Sequence, residues 1–111
     1  MNLINCIANF ELGIVSDGEK SKDVKEVFNG DRRLILEVIL RKNDKLSKHK
    51  AAEPITVLCL SGSGRFLAGP ELEESQELRP GTLITLEANV EHEVIAEPAV
   101  HILVTKFKES E

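Results

Sequence analysis

The sequence predicts an all-β protein, because short apolar runs alternate with turn signals along most of its length. Glycine, proline and asparagine residues that favour turns recur about every 8–12 residues, a spacing typical of a β-sandwich or β-barrel. The runs between them are rich in valine, isoleucine and leucine and are short, which favours strands over helices. After residue 30, no long amphipathic helical pattern interrupts the series. With 111 residues, the chain fits one domain.

Turn residues bound each predicted strand. Asn29-Gly30 is a strong turn signal because both residues tolerate positive φ. Gly62-Ser63-Gly64 ends the most β-branched strand, and Pro98 interrupts the last hairpin. The predicted strands are 24–28, 33–41, 54–60, 65–68, 76–79, 82–86, 93–96 and 100–107.

The N-terminal residues fit two structures, a short helix or an edge strand. We predict that residues 1–22 pack as a segment on a barrel formed by residues 23–107, with residues 108–111 as a frayed tail. The helical face would contain Leu3, Ile4, Cys6, Ile7 and Phe10, and the edge strand would contain Leu12 and Ile14.

Composition and charge exclude several classes of function. The chain is 41% hydrophobic and 30% charged, as expected for a globular protein. Its net charge of -5 argues against nucleic acid and anionic membranes as partners, since both need clustered lysine and arginine. No run approaches the roughly 20 apolar residues of a membrane span, and the N-terminus does not resemble a secretory signal. Two cysteines, Cys6 and Cys59, predict no disulfide framework and a cytoplasmic location.

Two histidines stand next to apolar strands in positions that predict a pocket. His92 follows a glycine turn at Gly81, a short apolar strand and a turn at Ala88-Asn89. His49 precedes the apolar strand that ends at Gly62. Side chains placed at such hairpin corners enter the mouth of a small β-barrel, so the sequence predicts that both imidazoles face one pocket.

The spacing around these histidines resembles the two sequence motifs of the small single-domain cupins. In the first motif, the glycine, two histidines, the glutamate and the second glycine would fall on Asn43, His49, Ala51, Ile55 and Gly62. The resemblance covers about residues 20–107 and implies an RmlC-like jelly roll, also called a double-stranded β-helix.

The second cupin motif is matched by Gly81 and His92 at the right spacing. Glu87 stands where the motif has a proline, and Asn89 replaces its second glycine. Asparagine at Asn43 and Asn89 is a mild departure, because it is the non-glycine residue best suited to left-handed turn geometry.

The resemblance also implies where a metal would bind, and this sequence keeps only part of that site. Metal-binding cupins typically use three histidines and one glutamate, of which His49 and His92 alone are matched, while Ala51 and Ile55 are hydrocarbon. Two imidazoles predict at most a weakly held divalent transition metal (Zn, Fe, Ni or Mn), with no cofactor required. A third ligand would have to come from Glu53 or His101.

Strand alternation predicts the composition of the pocket. If Ile55 faces inward, Val57 and Cys59 do so too. Ala51 and Glu53, in the loop before this strand, complete the predicted pocket lining. An apolar floor with histidines on the wall suits a small organic ligand.

The same alternation turns Leu58 and Leu60 to the opposite face of the sheet. Those leucines need cover from a second sheet or from a partner subunit, which predicts a homodimer.

Three functions remain open from the sequence. The first is a ligand-binding cupin of unassigned reaction, and the second is a metal-dependent oxygenase or isomerase acting on a small organic acid or sugar. The third is a metal-free isomerase with His49 or His92 as the base. His101 fits a structural histidine better than a ligand, and Glu37 fits a residue that faces solvent or pairs with Arg33 or Arg41.

Overall fold

The structure, a computed structural model, describes residues 3–8, 10–12 and 20–109 and is all-β over these ranges, as predicted. Seven antiparallel strands form it, and the described residues contain no helix. The strands are β1 Lys22–Asn29, β2 Arg33–Leu40, β3 Lys45–His49, β4 Ile55–Ala68, β5 Glu74–Leu78, β6 Leu83–Leu86 and β7 His92–Phe107.

Two long strands, β4 and β7, pair with each other along their whole length and organise the other five. The strand order is β1-β2-β7-β4-β5, with β3 also paired to β7 and β6 to β4. The first half of β7 pairs with β3 and the second half with β2, while the first half of β4 pairs with β6 and the second half with β5. The sheet therefore folds into two facing layers that enclose the core between them.

Glycines in β4 allow the bend between the two layers. The register between β4 and β7 shifts between Cys59 and Ser61 and again between Gly62 and Gly64. A Cβ atom on Gly62 would lie 2.2 Å from the carbonyl oxygen of Ala99, and one on Gly64 would lie 2.3 Å from that of Ile95. Only glycine permits the backbones to approach this closely, so these positions fix the bend.

The strands differ from the prediction at this bend. The sequence predicts separate strands at 54–60 and 65–68 and at 93–96 and 100–107, whereas the structure has one continuous strand in each case. The glycines form bulges rather than a turn. Pro98 is accommodated inside β7 because it lies opposite the shifted register, where no ladder hydrogen bond requires its missing N–H.

The sequence did not predict strand β3, but it did predict the left-handed turns at Asn43 and Asn89. The β3 residues Lys45–His49 include a single aliphatic side chain, Leu46, so alternation gave no strand signal there. Asn43 and Asn89 have φ values of 59° and 65°, which confirms their expected left-handed conformation.

The core lies between the two layers, and the alternation predicted for β4 is observed. Ile55, Val57 and Cys59 face inward with exposures of 3%, 1% and 1%. The intervening side chains on the outer face are half-buried. The remaining fully buried aliphatic side chains come mainly from β2 and β7 and include Val38, Leu40, Val94, Val100 and Ile102.

The two ends of the chain add little regular structure. Residues 3–8 and 10–12 have neither the short helix nor the edge strand that the sequence predicts, and Ile14 lies outside the described residues. Residues 108–109 follow β7 without strand structure, and the last two residues of the predicted tail also lie outside the described part. Within the described ranges, no helix has the length and apolarity needed to cross a membrane.

Candidate functional site

A cavity of about 370 Å³ opens between the two layers of the barrel. Its walls come mainly from β1, β2, β3, β4 and β7, and most of its surface is aliphatic. The lining residues with hydrocarbon side chains are Val24, Leu36, Val38, Leu46, Ala51, Ile55, Val57, Phe66, Val94, Ile102 and Val104. The polar residues on its wall are Lys22, Ser47, His49, His92 and Lys106.

The structure brings His49 and His92 together on the cavity wall. They are opposite each other in the pairing of β3 with β7, and their ring centroids are 4.3 Å apart. His92 is 4% exposed and its ring stacks on Phe66, with 5.6 Å between the ring centroids. His49 is exposed at the mouth, so the pair extends from solvent into the cavity.

Backbone hydrogen bonds set the tautomer of both rings. Nδ1 of His49 lies 2.7 Å from the carbonyl oxygen of Ser47, and Nδ1 of His92 lies 2.9 Å from that of Val90. A carbonyl oxygen can only accept, so each Nδ1 carries the proton and each neutral ring has its lone pair on Nε2.

The electrostatic surroundings of His92 favour its neutral form. Burial lowers the pKa of His92 most strongly, and the nearby charges of His49 and Lys106 lower it further, against an opposing effect of the Val90 carbonyl. His92 therefore presents an uncharged imidazole near neutral pH, with an acceptor nitrogen on Nε2.

The donor set does not fit the metal site of the cupin motif. Over residues 3–8, 10–12 and 20–109, no three His, Cys, Asp or Glu side chains lie close enough to hold one ion. Ala51 and Ile55, at two of the motif's ligand positions, line the cavity as hydrocarbon. Two imidazoles fall short of the three protein ligands of a catalytic zinc site and the four of a structural one.

The two residues named as alternative third ligands are not at the pair. Glu53 does not line the cavity. His101 lies in the second half of β7, outside the cavity lining, where its Nε2 is 2.7 Å from Oε2 of Glu37. Glu37 thus pairs with His101 rather than with Arg33 or Arg41, and Arg41 instead contacts Asp23 at 2.8 Å. His101 is 1% exposed, so the contact with Glu37 is made by a buried ring.

The predicted pocket residues divide into two groups. Ala51, Ile55 and Val57 line the cavity, whereas Cys59 and Glu53 do not. Cys59 shares the inward face of β4 but lies farther along the strand, in the packed core. Its thiol donates a hydrogen bond to the Ser61 carbonyl oxygen, and burial raises its pKa, which favours the protonated thiol over the nucleophilic thiolate.

Two lysines and Phe66 on the cavity wall were not predicted from the sequence. Lys106 follows Ile102 and Val104 at spacing two along β7, so alternation alone places it on the inward face. That signal was available in the sequence. Lys22 gave no such signal, because few apolar residues in β1 indicate which of its faces points inward.

Comparison with known proteins supports the fold. No protein-family model matches the sequence, and no curated protein matches it. The chain is similar to a conserved protein of unknown function from Streptococcus pyogenes, with a TM-score of 0.77, 18% identity, and coverage of 99% of this chain and 95% of the other.

Two further solved structures have the same architecture. An RmlC-like cupin with a double-stranded β-helix fold from Methanocaldococcus jannaschii has a TM-score of 0.73 and 17% identity, covering 96% of this chain and 93% of the other. The polyketide cyclase RemF from Streptomyces resistomycificus has a TM-score of 0.70 and 20% identity, covering 86% and 71%. Identities this low establish architecture rather than activity, and the double-stranded β-helix named for the Methanocaldococcus jannaschii protein agrees with the antiparallel sheet described above. The chain therefore has the cupin fold, the RmlC-like jelly roll.

Proposed function

We propose that this protein binds a small, partly apolar organic molecule in the cavity between its layers and needs no metal to do so. The observation that carries the proposal is the composition of the wall, which is aliphatic over most of its area and carries two convergent imidazoles near the mouth. A preformed apolar concavity with few polar groups is the usual form of a small-molecule site.

The proposal predicts that a neutral amphiphile stabilises the protein only when no substituted side chain fills the cavity. Hexanamide is a suitable probe because it has an apolar chain, a polar head and no charge. At about ten times its dissociation constant, binding adds about 1.4 kcal/mol to the free energy of unfolding and raises the melting temperature by about 4 °C or more. The chain has no tryptophan or tyrosine whose fluorescence could report unfolding, so melting is followed by circular dichroism.

A filled cavity provides the control for this experiment. Ala51→Phe places a ring in the cavity, and the shift caused by hexanamide should disappear. Ala52→Phe adds the same ring at the exposed neighbouring residue, and the shift should persist. An equal shift in both variants would place the binding elsewhere, and no shift in the parent protein would refute the proposal.

The second candidate function is that of a metal-dependent enzyme, an oxygenase or isomerase of a small organic acid or sugar. It is supported by the His49–His92 pair with both Nε2 atoms free to act as ligands. The polyketide cyclase among the similar structures is an enzyme of the same fold. Near-equimolar metal in tag-free protein, lost in His92→Ala, would favour this candidate. Absence of metal, with no change in melting temperature on adding Zn, Fe, Ni or Mn, would favour metal-free binding.

We also propose that two copies associate through the outer face of the β6-β4-β7 layer. Leu83, Leu58 and Leu103 are directly opposite one another across these three strands, and Leu83 is 63% exposed. Sedimentation should give twice the chain mass of 12.3 kDa. Leu83→Asp should shift the monomer–dimer equilibrium towards monomer. The control variant Gln76→Asp, on β5, should leave the dimer unchanged. A monomer at all concentrations would contradict this proposal.

A reducing, cytoplasmic location is part of the proposal as well. It is supported by the two cysteines, which are both unpaired, Cys6 at the surface and Cys59 in the core.

A further inference from the structure

The charge on the cavity wall is opposite to the charge of the whole chain. The sequence has 19 acidic and 14 basic residues, yet the charged residues among the described cavity lining are two lysines, with no carboxylate. We propose that the ligand is a small organic carboxylate, with its charged head near Lys106 and its hydrocarbon part on the aliphatic floor. This inference rests on the proposed function and specifies the chemical class of the ligand.

Lys106 is the main positive charge of the site. It follows Val104 and Ile102 on the inward face of β7, and it is opposite Ile55 of β4 and Leu34 of β2. Its side chain is half-buried among these aliphatic neighbours. The Lys106 ammonium is near enough to His92 to contribute to the lowered pKa of that ring, after the larger effects of burial and of His49. Lysine and histidine thus face the same space.

Lys106 differs from Lys48 and Lys20, which each contact a carboxylate. Lys48 contacts Glu91 at 3.2 Å, and Lys20 contacts Asp23 at 4.0 Å. Within the described part of the chain, neither Lys106 nor Lys22 forms a salt bridge. A lysine that lines an aliphatic cavity loses part of its hydration when a ligand fills that cavity, and this loss is costly without a counter-charge. An anionic ligand in the cavity supplies that counter-charge, which the described residues that line the cavity do not supply.

Lys22 adds a second, weaker positive charge. It begins β1, opposite Leu40, and lines the cavity. Its charge also acts on Asp44, whose pKa is lowered mainly by the hydrogen bond from the Ser21 hydroxyl, next by the Lys45 amide and least by Lys22. Because Asp44 partly offsets Lys22, we assign the head group of the ligand to the Lys106 side of the cavity.

The histidines complete the recognition of such a molecule. With Nδ1 of each ring committed to a backbone carbonyl, each Nε2 offers an acceptor to a hydroxyl group carried by the ligand. The neutral imidazoles carry no net charge, so the preference for an acid over an amine of the same size comes from the lysines, which attract a carboxylate and repel an ammonium.

Three probes of similar size test this inference on the intact chain. Hexanoate, hexanamide and hexylamine carry similar hydrocarbon tails and differ in head-group charge. We expect hexanoate to bind at least about ten-fold more tightly than hexanamide, and hexylamine to bind most weakly, as measured by calorimetry. Raising the salt concentration from about 50 mM to about 500 mM should weaken hexanoate binding and leave hexanamide binding unchanged.

A charge-removing variant locates the head group. Lys106→Met keeps the apolar stem, and it should reduce hexanoate affinity to that of hexanamide. Lys45→Met, at an exposed position of β3 outside the cavity lining, should leave both affinities unchanged. The comparison of probes in the parent protein does not depend on the folding of either variant.

The outcomes separate this inference from the proposed function. Equal binding of hexanoate and hexanamide, or tighter binding of hexylamine, would overturn the anionic ligand and leave the organic-ligand proposal standing. Unchanged discrimination in a folded Lys106→Met protein would overturn the role of Lys106. Failure of all three probes to bind would refute the proposed function itself, and the inference with it.

Discussion

Replacing Gly62 with alanine is expected to destabilise this protein strongly. Gly62 has a φ of 81°, and a Cβ atom there would lie 2.2 Å from the Ala99 carbonyl oxygen and 2.9 Å from the Cα of Val100. Both neighbours are backbone atoms, so no side-chain rotation relieves the overlap. Because β4 and β7 must separate at the bend to admit the methyl group, we expect a loss of at least about 3 kcal/mol of unfolding free energy.

Gly81→Ala is the matched control for this prediction. Gly81 also has a positive φ, 93°, but no atom lies within 4 Å of the position that a Cβ atom would occupy there. The Gly81→Ala protein should lose only about 1–2 kcal/mol of unfolding free energy, which is the backbone strain of an alanine in the left-handed conformation. Urea unfolding followed by circular dichroism measures both values. Equal losses in the two variants would show that the close contact between β4 and β7 at Gly62 does not determine stability.

Restoring the two missing ligands, with Ala51→His and Ile55→Glu together, is expected to create a tight metal site in the cavity. Both residues line the cavity that contains the His49–His92 pair. The double variant would have three imidazoles and one carboxylate on one wall, which completes the donor set of the cupin motif. We expect affinity for Ni, Zn or Mn to rise by at least about 1000-fold and bound metal to approach one equivalent.

Stability should change with this substitution in a defined way. Ile55 is 3% exposed, so a glutamate there without metal should cost about 1–3 kcal/mol. Added metal should reverse the decrease in melting temperature, because the metal binds only the folded protein. The control is Ala52→His with Thr56→Glu, which introduces the same side chains at neighbouring positions outside the cavity lining. Elemental analysis that finds no more metal in the restored protein than in this control would contradict the predicted geometry.

The site was predicted in part because strand alternation is a local property. The inward face of β4 follows from the two-residue period, and Ile55 and Val57 do line the cavity. The same rule would have found Lys106, which continues the inward positions Ile102 and Val104 of β7. Alternation does not tell where along a strand the cavity ends, and for this reason Cys59, on the predicted face, lies in the packed core instead.

Contacts between distant residues were beyond the reach of sequence patterns. Glu37 and His101 are 64 residues apart and meet at 2.7 Å because β2 and β7 are neighbours. The sequence suggested arginine partners for Glu37, since those lie nearby in the chain. Side-chain pairing depends on which strands are adjacent, and a local pattern carries no information about that adjacency.

What the sequence determined by itself was the class of the fold, most strand positions and the left-handed turns at Asn43 and Asn89, because these follow from the conformational preferences of neighbouring residues. Only the tertiary structure decided that β4 and β7 run unbroken through their glycine and proline residues, that His49 and His92 are opposite each other, and that two lysines share their cavity. Each of these depends on the register between strands far apart in the chain. That register is set by how the whole sheet closes around its core.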